Sequence, residues 1–159
     1  MKMKVVLNIC ILALSACQTN LFFVRHAERL DNSPLSPLSA QGLAHADALR
    51  DTLQKAGIDL IYCSVYERTK QTAQPLAHAL GKALVQYSPD TTLGLLPVLQ
   101  NLKNKNALVV GHSDNIPRLI KALTGDSVHI AHGQYGDLYQ VQVVRGVFGA
   151  RRKLIRRRF

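Results

Sequence analysis

A chain of 159 residues, 47% apolar and 19% charged, is long enough for one domain and too apolar for disorder; folding would bury about two thirds of its unfolded surface. Its net charge of +10 points to anionic partners. The basic residues are not interleaved with aromatics as a base-stacking surface requires, so nucleic acid is not an expected partner.

Residues 1–17 read as an address rather than as structure. Lys2 and Lys4 give a positive start, Val5 to Ala13 is almost wholly apolar, and Leu14-Ser15-Ala16-Cys17 follows. The apolar run is too short to span a bilayer, which needs about 20 residues. The stretch resembles a bacterial lipoprotein signal whose lipobox ends in a lipidated cysteine, Cys17. A secretory peptide cleaved near Ala16 or Cys17, or a misassigned start without export, are the alternatives. The expected organisation is therefore a signal over 1–17 and a single domain over 18–159, in the periplasm or cell envelope. Only Gln18, Thr19 and Asn20 would separate Cys17 from the first strand, so an anchored domain would sit almost on the membrane.

Strand and helix patterns then alternate, the mark of an α/β layered fold. Leu21 to Val24 is a short buried strand, and residues 31–38, with Pro34 and Pro37, form a loop. Ser39 is a natural N-cap for a helix with the stripe Leu43, Ala46, Leu49 and Leu53, closed by Gly57. Ile58 to Tyr62 is a second strand. Ser64 and Glu67 have capping-box spacing at the start of a helix running toward Gly81, with a kink expected at Pro75. Leu84 to Gln86 is a candidate edge strand and Leu93 to Leu102 a helix.

Ala107 to Val110 is the clearest buried strand. It leads into Gly111-His112-Ser113-Asp114 and a helix from about Asn115 to Gly125. Residues 126–136 are loop, Leu138 to Val144 alternates as a strand, and Arg151 to Ile155 could pair back along the edge. Six of the 20 basic residues lie in the last nine positions, forming a basic tail that suits an anionic bilayer as well as it suits a solvated strand. With Cys10 in the signal and Cys17 carrying lipid, Cys63 is left alone. No disulfide is available, and the spacings suit no zinc site.

In a doubly wound sheet, sites form beyond the carboxyl ends of the strands. There the first strand ends in Arg25-His26, the second leads to Arg68 in the first turn of a capped helix, and the fourth ends in Gly111-His112. Arginine offers a planar fork to phosphate oxygens, histidine is a nucleophile toward phosphorus, and a helix N-terminus favours an anion. Arg25-His26-Ala27-Glu28, Pro34 to Gly42, Ser64 to Ala73 and Gly111-His112-Ser113 together resemble the histidine phosphatase superfamily, the phosphoglycerate-mutase-like proteins of branch 1. The likeness covers nearly all of residues 21–144.

The resemblance implies a three-layer α/β/α sandwich with a mostly parallel sheet, and a phosphohistidine mechanism without metal or cofactor. Carried over, His26 attacks phosphorus in line while Arg25, Arg68 and His112 hold the equatorial oxygens. Thr69 and Ser113 are further candidates to bind phosphate through their hydroxyls. His45, His78, His129 and His132 read as surface or loop residues, and Tyr135 and Tyr139 as strand-packing aromatics.

The family's mutases and several phosphatases place a proton-donating glutamate downstream of the second arginine. Here residues 83–106 hold one carboxylate, Asp90, in no recognisable motif. Asp114 doubles as a natural N-cap, and Glu28 is expected to be structural. Without an acid, substrates with easily departing groups would be favoured. The expected activity is a phosphomonoesterase acting on a phosphorylated small molecule or an envelope glycan. A protein-phosphohistidine phosphatase and a non-catalytic phosphate-binding module are the alternatives.

Overall fold

A computed structural model describes residues 17–147 and 149–159. The signal-like residues 1–16 lie outside the described residues. The chain order is β1 (Cys17–Arg25), α1 (Ala40–Leu53), β2 (Ile58–Ser64), α2 (Glu67–Leu80), β3 (Leu84–Tyr87), a 3-10 helix (Pro89–Leu95), α3 (Leu96–Asn101), β4 (Asn106–Gly111), α4 (Asn115–Thr124), β5 (Asp137–Gly146) and β6 (Gly149–Arg158). The strands form one sheet in the order β3-β2-β4-β1-β5-β6. β1 to β4 run parallel, and β5 and β6 close one edge antiparallel. This is the expected α/β/α sandwich with a mostly parallel sheet.

Alternation along the two central strands sorts the core. Leu21 and Phe23 of β1, with Ala107 and Val109 of β4, pack toward Ile116, Leu119, Ile120 and Leu123 of α4. Phe22, Val24, Leu108 and Val110 face Leu49 and Leu53 of α1 and Ala73, Leu76 and Ala77 of α2. Both faces of β1 and β4 are therefore covered, which is why these strands read as unbroken apolar runs rather than as alternating ones.

Several expectations change. β1 begins at Cys17, four residues early, because its antiparallel partner β5 extends far enough to pair Cys17 with Arg145. Gln18, Thr19 and Asn20 are thus strand, not spacer; Thr19 is fully buried and donates to Leu102 O, while Asn20 N and Nδ2 both reach Asn106 Oδ1. The basic terminus is likewise not a free tail. Strand β6 pairs with β5 along its whole length, from Gly146↔Gly149 to Asp137↔Arg158. Leu154 packs against the α4 side of the core, and Phe159 against the other side. The charges stay exposed along the sheet's outer strand, where they discourage further strand pairing.

The caps differ too. Ser39 does cap α1, accepting from Gly42 N at 3.1 Å, but the helix stops at Leu53 before Gly57. Its inward position is Gly42 rather than Leu43, which is half exposed. A Cβ on Gly42 would lie 2.1 Å from Glu28 O, so only glycine lets α1 close onto the turn after His26. The Ser64–Glu67 capping box does not form: Tyr66 is the N-cap of α2, without a side-chain bond. The helix predicted over 93–102 is split into a 3-10 turn and the short α3.

Candidate active site

The register of two neighbouring strands builds the site. Arg25 at the end of β1 lies opposite Gly111 at the end of β4, and His26 N donates to Gly111 O at 2.9 Å. The next residue of each strand therefore projects from the same sheet edge. His26 and His112 meet there with ring centroids 5.4 Å apart, edge to face. Gly111 permits this closeness because a Cβ would fall within 3 Å of Asn115, Tyr87 and Ile116. The close approach is thus made by protein rather than by ligand. Asn115, buried, accepts from His112 N at 2.8 Å and so fixes the turn into α4.

A cleft of about 470 Å³ opens over the two histidines, lined by Arg25, His26, Arg29, Tyr66, Arg68, Pro89, Asp90, His112, Ser113, Asp114 and His132. His26 Nδ1 lies 2.7 Å from Ala27 O. A carbonyl only accepts, so Nδ1 carries the proton and Nε2 keeps its lone pair. Burial, helped by His112 and the Arg25 and Arg68 cations, pulls the His26 pKa down to about 3 despite the bond to Ala27. The ring is therefore neutral at physiological pH and available as a nucleophile.

Arg25 and Arg68 share one design. Arg25 Nη1 donates to Ala131 O at 2.9 Å, His132 O at 2.5 Å and Gln134 O at 3.3 Å, and its guanidinium lies 4.3 Å over the Tyr135 ring. Arg68 Nη1 donates to Pro34 O at 2.6 Å, and its guanidinium lies 4.5 Å over the Tyr66 ring. Each cation is clamped by a loop carbonyl and a tyrosine face. Each also leaves a buried Nε–H with no partner among the described residues. An orphaned buried donor on a charged group is costly, and an anion between the two would satisfy both.

His112 is set by a residue that sequence reasoning placed elsewhere. Ser64 Oγ lies 2.8 Å from His112 Nε2 and 2.8 Å from Thr69 Oγ1. Thr69 gives its one hydroxyl proton to a backbone carbonyl, so Ser64 Oγ donates to Thr69 Oγ1 and accepts from His112 Nε2–H, and Nδ1 is the ring nitrogen left for a ligand. Burial, with Arg68 and Arg25, lowers the His112 pKa to about 4, opposed by Asp114. The capping-box spacing hid this role of Ser64.

The sequence-predicted residues divide. Arg25, His26, Arg68, His112 and Ser113 all line the cleft. Thr69 does not: it is fully buried and its hydroxyl contacts Ser64 and Tyr66 backbone carbonyls, so it supports Ser64 instead of touching phosphate. Glu28 is structural as expected, held by His45 Nδ1 at 2.7 Å, which gives His45 a partner that a surface residue would lack. Tyr139 packs in the strand core, whereas Tyr135 sits on Arg25 rather than in strand packing. His132 lines the cleft, contrary to its reading as a mere loop residue. Asp90 and Asp114 both stand at the cleft, and Asp114 makes no capping bond. A carboxylate is thus present even though no sequence motif marked it.

The cleft thus brings a neutral buried histidine and two clamped arginines together at the carboxyl edge of the parallel strands. Residues 21–93 match the model of the histidine phosphatase superfamily (branch 1). No curated protein matches it in sequence. Among solved structures, mycobacterial glucosyl-3-phosphoglycerate phosphatase is similar with a TM-score of 0.66 at 15% identity, over 86% of this chain and 97% of that one. The α-ribazole phosphatase of Shigella flexneri gives 0.64 at 16% identity, over 86% and 95%. A candidate phosphohistidine phosphatase of Agrobacterium tumefaciens, SixA, gives 0.65 at 20% identity, over 86% and 95%. At these identities the likeness concerns the fold.

Proposed function

We propose that the protein is a phosphatase that works through a phosphohistidine on His26. The observation that carries this reading is the His26 ring itself: Nδ1 is pinned to Ala27 O, which leaves Nε2 its lone pair, in a cleft also lined by two arginines whose Nε–H groups are unpartnered among the described residues. In the first step Nε2 bonds to phosphorus as the ester P–O bond breaks, while Arg25, Arg68 and His112 take up charge on the equatorial oxygens. The leaving oxygen gains a proton, and Asp90 and Asp114 are the carboxylates at the cleft able to deliver it. Water then attacks phosphorus, the N–P bond breaks, and neutral His26 returns with inorganic phosphate. Ser113, half-buried at the cleft, supplies a further hydroxyl to the phosphate.

A panel of phosphomonoesters, with a phosphohistidine peptide among them, tests this reading. Phosphate release by the intact chain and none by His26→Ala would support it. Tight phosphate binding with no release from any member would turn the assignment to a binding module.

We place the activity in the cell envelope, on a phosphorylated small molecule or envelope glycan. The support is the sequence of residues 1–17, with its positive start, short apolar run and closing cysteine. A lipid on Cys17 would hang from the start of β1, and eight residue steps of strand make that about 26 Å from Arg25. Arg145 pairs with Cys17, and Arg151 follows on the neighbouring strand, so basic side chains cluster at that same end. Incorporation of labelled palmitate that disappears in Cys17→Ser tests the anchor.

A further inference from the structure

Arg29 is the third arginine of the cleft, and phosphoryl transfer as derived above has no use for it. The chain fixes it firmly. Its backbone bridges Leu38, Leu30 N donates to Pro37 O at 2.9 Å, and Leu38 N is held by Gln71 Oε1 at 2.7 Å. The loop between is tied down again by Arg68 at Pro34 O. The side chain's hydrogen-bond partner is neutral, Asn32 Oδ1 at 2.8 Å, and among the described residues Arg29 makes no ion pair. The nearby Asp31 carboxylate is taken by Ser33 N at 2.7 Å.

Three cations in one cleft repel one another. Burial lowers the guanidinium pKa of Arg25 and of Arg68, and Arg29 is the strongest like charge acting on either. A phosphate dianion between Arg25 and Arg68 would occupy their free Nε–H groups and leave Arg29 only the outlying Asp31, already bound by Ser33 N, as a neighbouring counter-charge. Asp114 acts on Arg68 and His112 instead. A bound phosphate alone therefore leaves a third cation at the cleft with no ion-pair partner among the described residues.

We infer that Arg29 holds a second anionic group of the substrate, so that the site selects phosphomonoesters bearing a carboxylate or a second phosphate near the reacting one. This rests on the phosphatase reading for the word substrate, but the subsite itself is a matter of binding. Arginine suits it, because its planar fork matches either anion with paired hydrogen bonds.

Binding to the full chain carrying His26→Asn, which cannot turn over, tests the subsite by calorimetry. 3-Phosphoglycerate carries a carboxylate where glycerol 3-phosphate has a hydroxymethyl group, and fructose 1,6-bisphosphate adds a phosphate to fructose 6-phosphate. In at least one pair the extra anion should tighten binding about tenfold, the size of a charged hydrogen bond at a half-open site. Arg29→Gln should abolish that ratio and Arg29→Lys should retain only part of it, through its charge without the paired hydrogen bonds. No tightening in either pair, or a ratio unchanged in Arg29→Gln, overturns the inference. Turnover of the same esters with His26 intact is read separately. If binding shows the Arg29-dependent ratio while no ester is hydrolysed, the phosphatase reading fails and the anion subsite stands.

Discussion

Ser64 Oγ sits 2.8 Å from His112 Nε2, joining the end of β2 to the end of β4 through a buried side-chain bond. The contact sets which ring nitrogen of His112 can face a phosphate, so a residue that never reaches the cleft controls one that does. Ser64→Ala removes the hydroxyl and leaves the imidazole free to change tautomer. We expect kcat/KM to fall about tenfold, the effect of a lost buried hydrogen bond, with the melting temperature only slightly lowered. Steady-state kinetics beside a thermal melt checks this; unchanged kcat/KM would remove Ser64 from the site.

Tyr135 supports Arg25 by its ring face at 4.3 Å, while its hydroxyl lies a long 3.4 Å from Arg25 Nη2. The ring should therefore matter more than the hydroxyl. Tyr135→Leu is expected to weaken inorganic phosphate binding by about 1 kcal/mol, roughly fivefold, and Tyr135→Phe to leave it nearly intact. Competition by phosphate against a chromogenic ester measures both.

Acid should act on stability as well as on rate. His26 and His112 have folded pKa values of about 3 and about 4, below the ordinary 6.5. The unfolded chain therefore binds more protons than the folded one between those values. Their contribution is complete above pH 6.5 and is lost as pH falls toward 4 and then 3, by up to about 1.4 kcal/mol per pH unit for each ring. Urea unfolding from pH 7 to pH 4 should show a shallower decline for His26→Gln than for the parent. Equal slopes would contradict the buried neutral ring. Activity on the acid side should likewise persist well below pH 6.5.

Gly42→Ala tests the packing that holds the catalytic turn. Its new methyl would collide with Glu28 O, a backbone atom that cannot swing aside, so α1 or the turn after His26 must shift. Overpacking of this kind typically costs about 1–3 kcal/mol. The expected result is a lower melting temperature together with a reduced kcat, since the shifted turn also carries His26.

Much of this architecture was legible in the chain. Unbroken apolar runs gave β1 and β4, Ser39 gave the start of α1, and Arg25, His26, Arg68 and His112 meet where sequence order and strand ends required. The features that local sequence does not carry are of one physical kind: they depend on partners distant in the chain. Cys17 to Asn20 become strand only because β5 runs alongside them. The pairing expected for Arg151 to Ile155 extends over the whole of β6 because β5 offers it a full-length edge. Ser64 looked like a cap since its spacing to Glu67 is local, whereas its actual partner His112 is 48 residues away. Asp90 carried no motif, and only the 3-10 turn that opens at Pro89 brings it to the cleft. Tyr135 and His132 belong to a loop without periodicity, drawn in by the Arg25 guanidinium.

A phosphohistidine mechanism requires a covalent bond between phosphorus and His26 Nε2. Mixing the protein with a radiolabelled phosphomonoester, quenching in alkali within a single turnover and mapping the labelled peptide tests it directly, because phosphohistidine survives alkali and is lost in acid. The expected result is alkali-stable, acid-labile label on the peptide that holds His26, and none in His26→Ala. Turnover without any trapped label, or label that persists in His26→Ala, would contradict it.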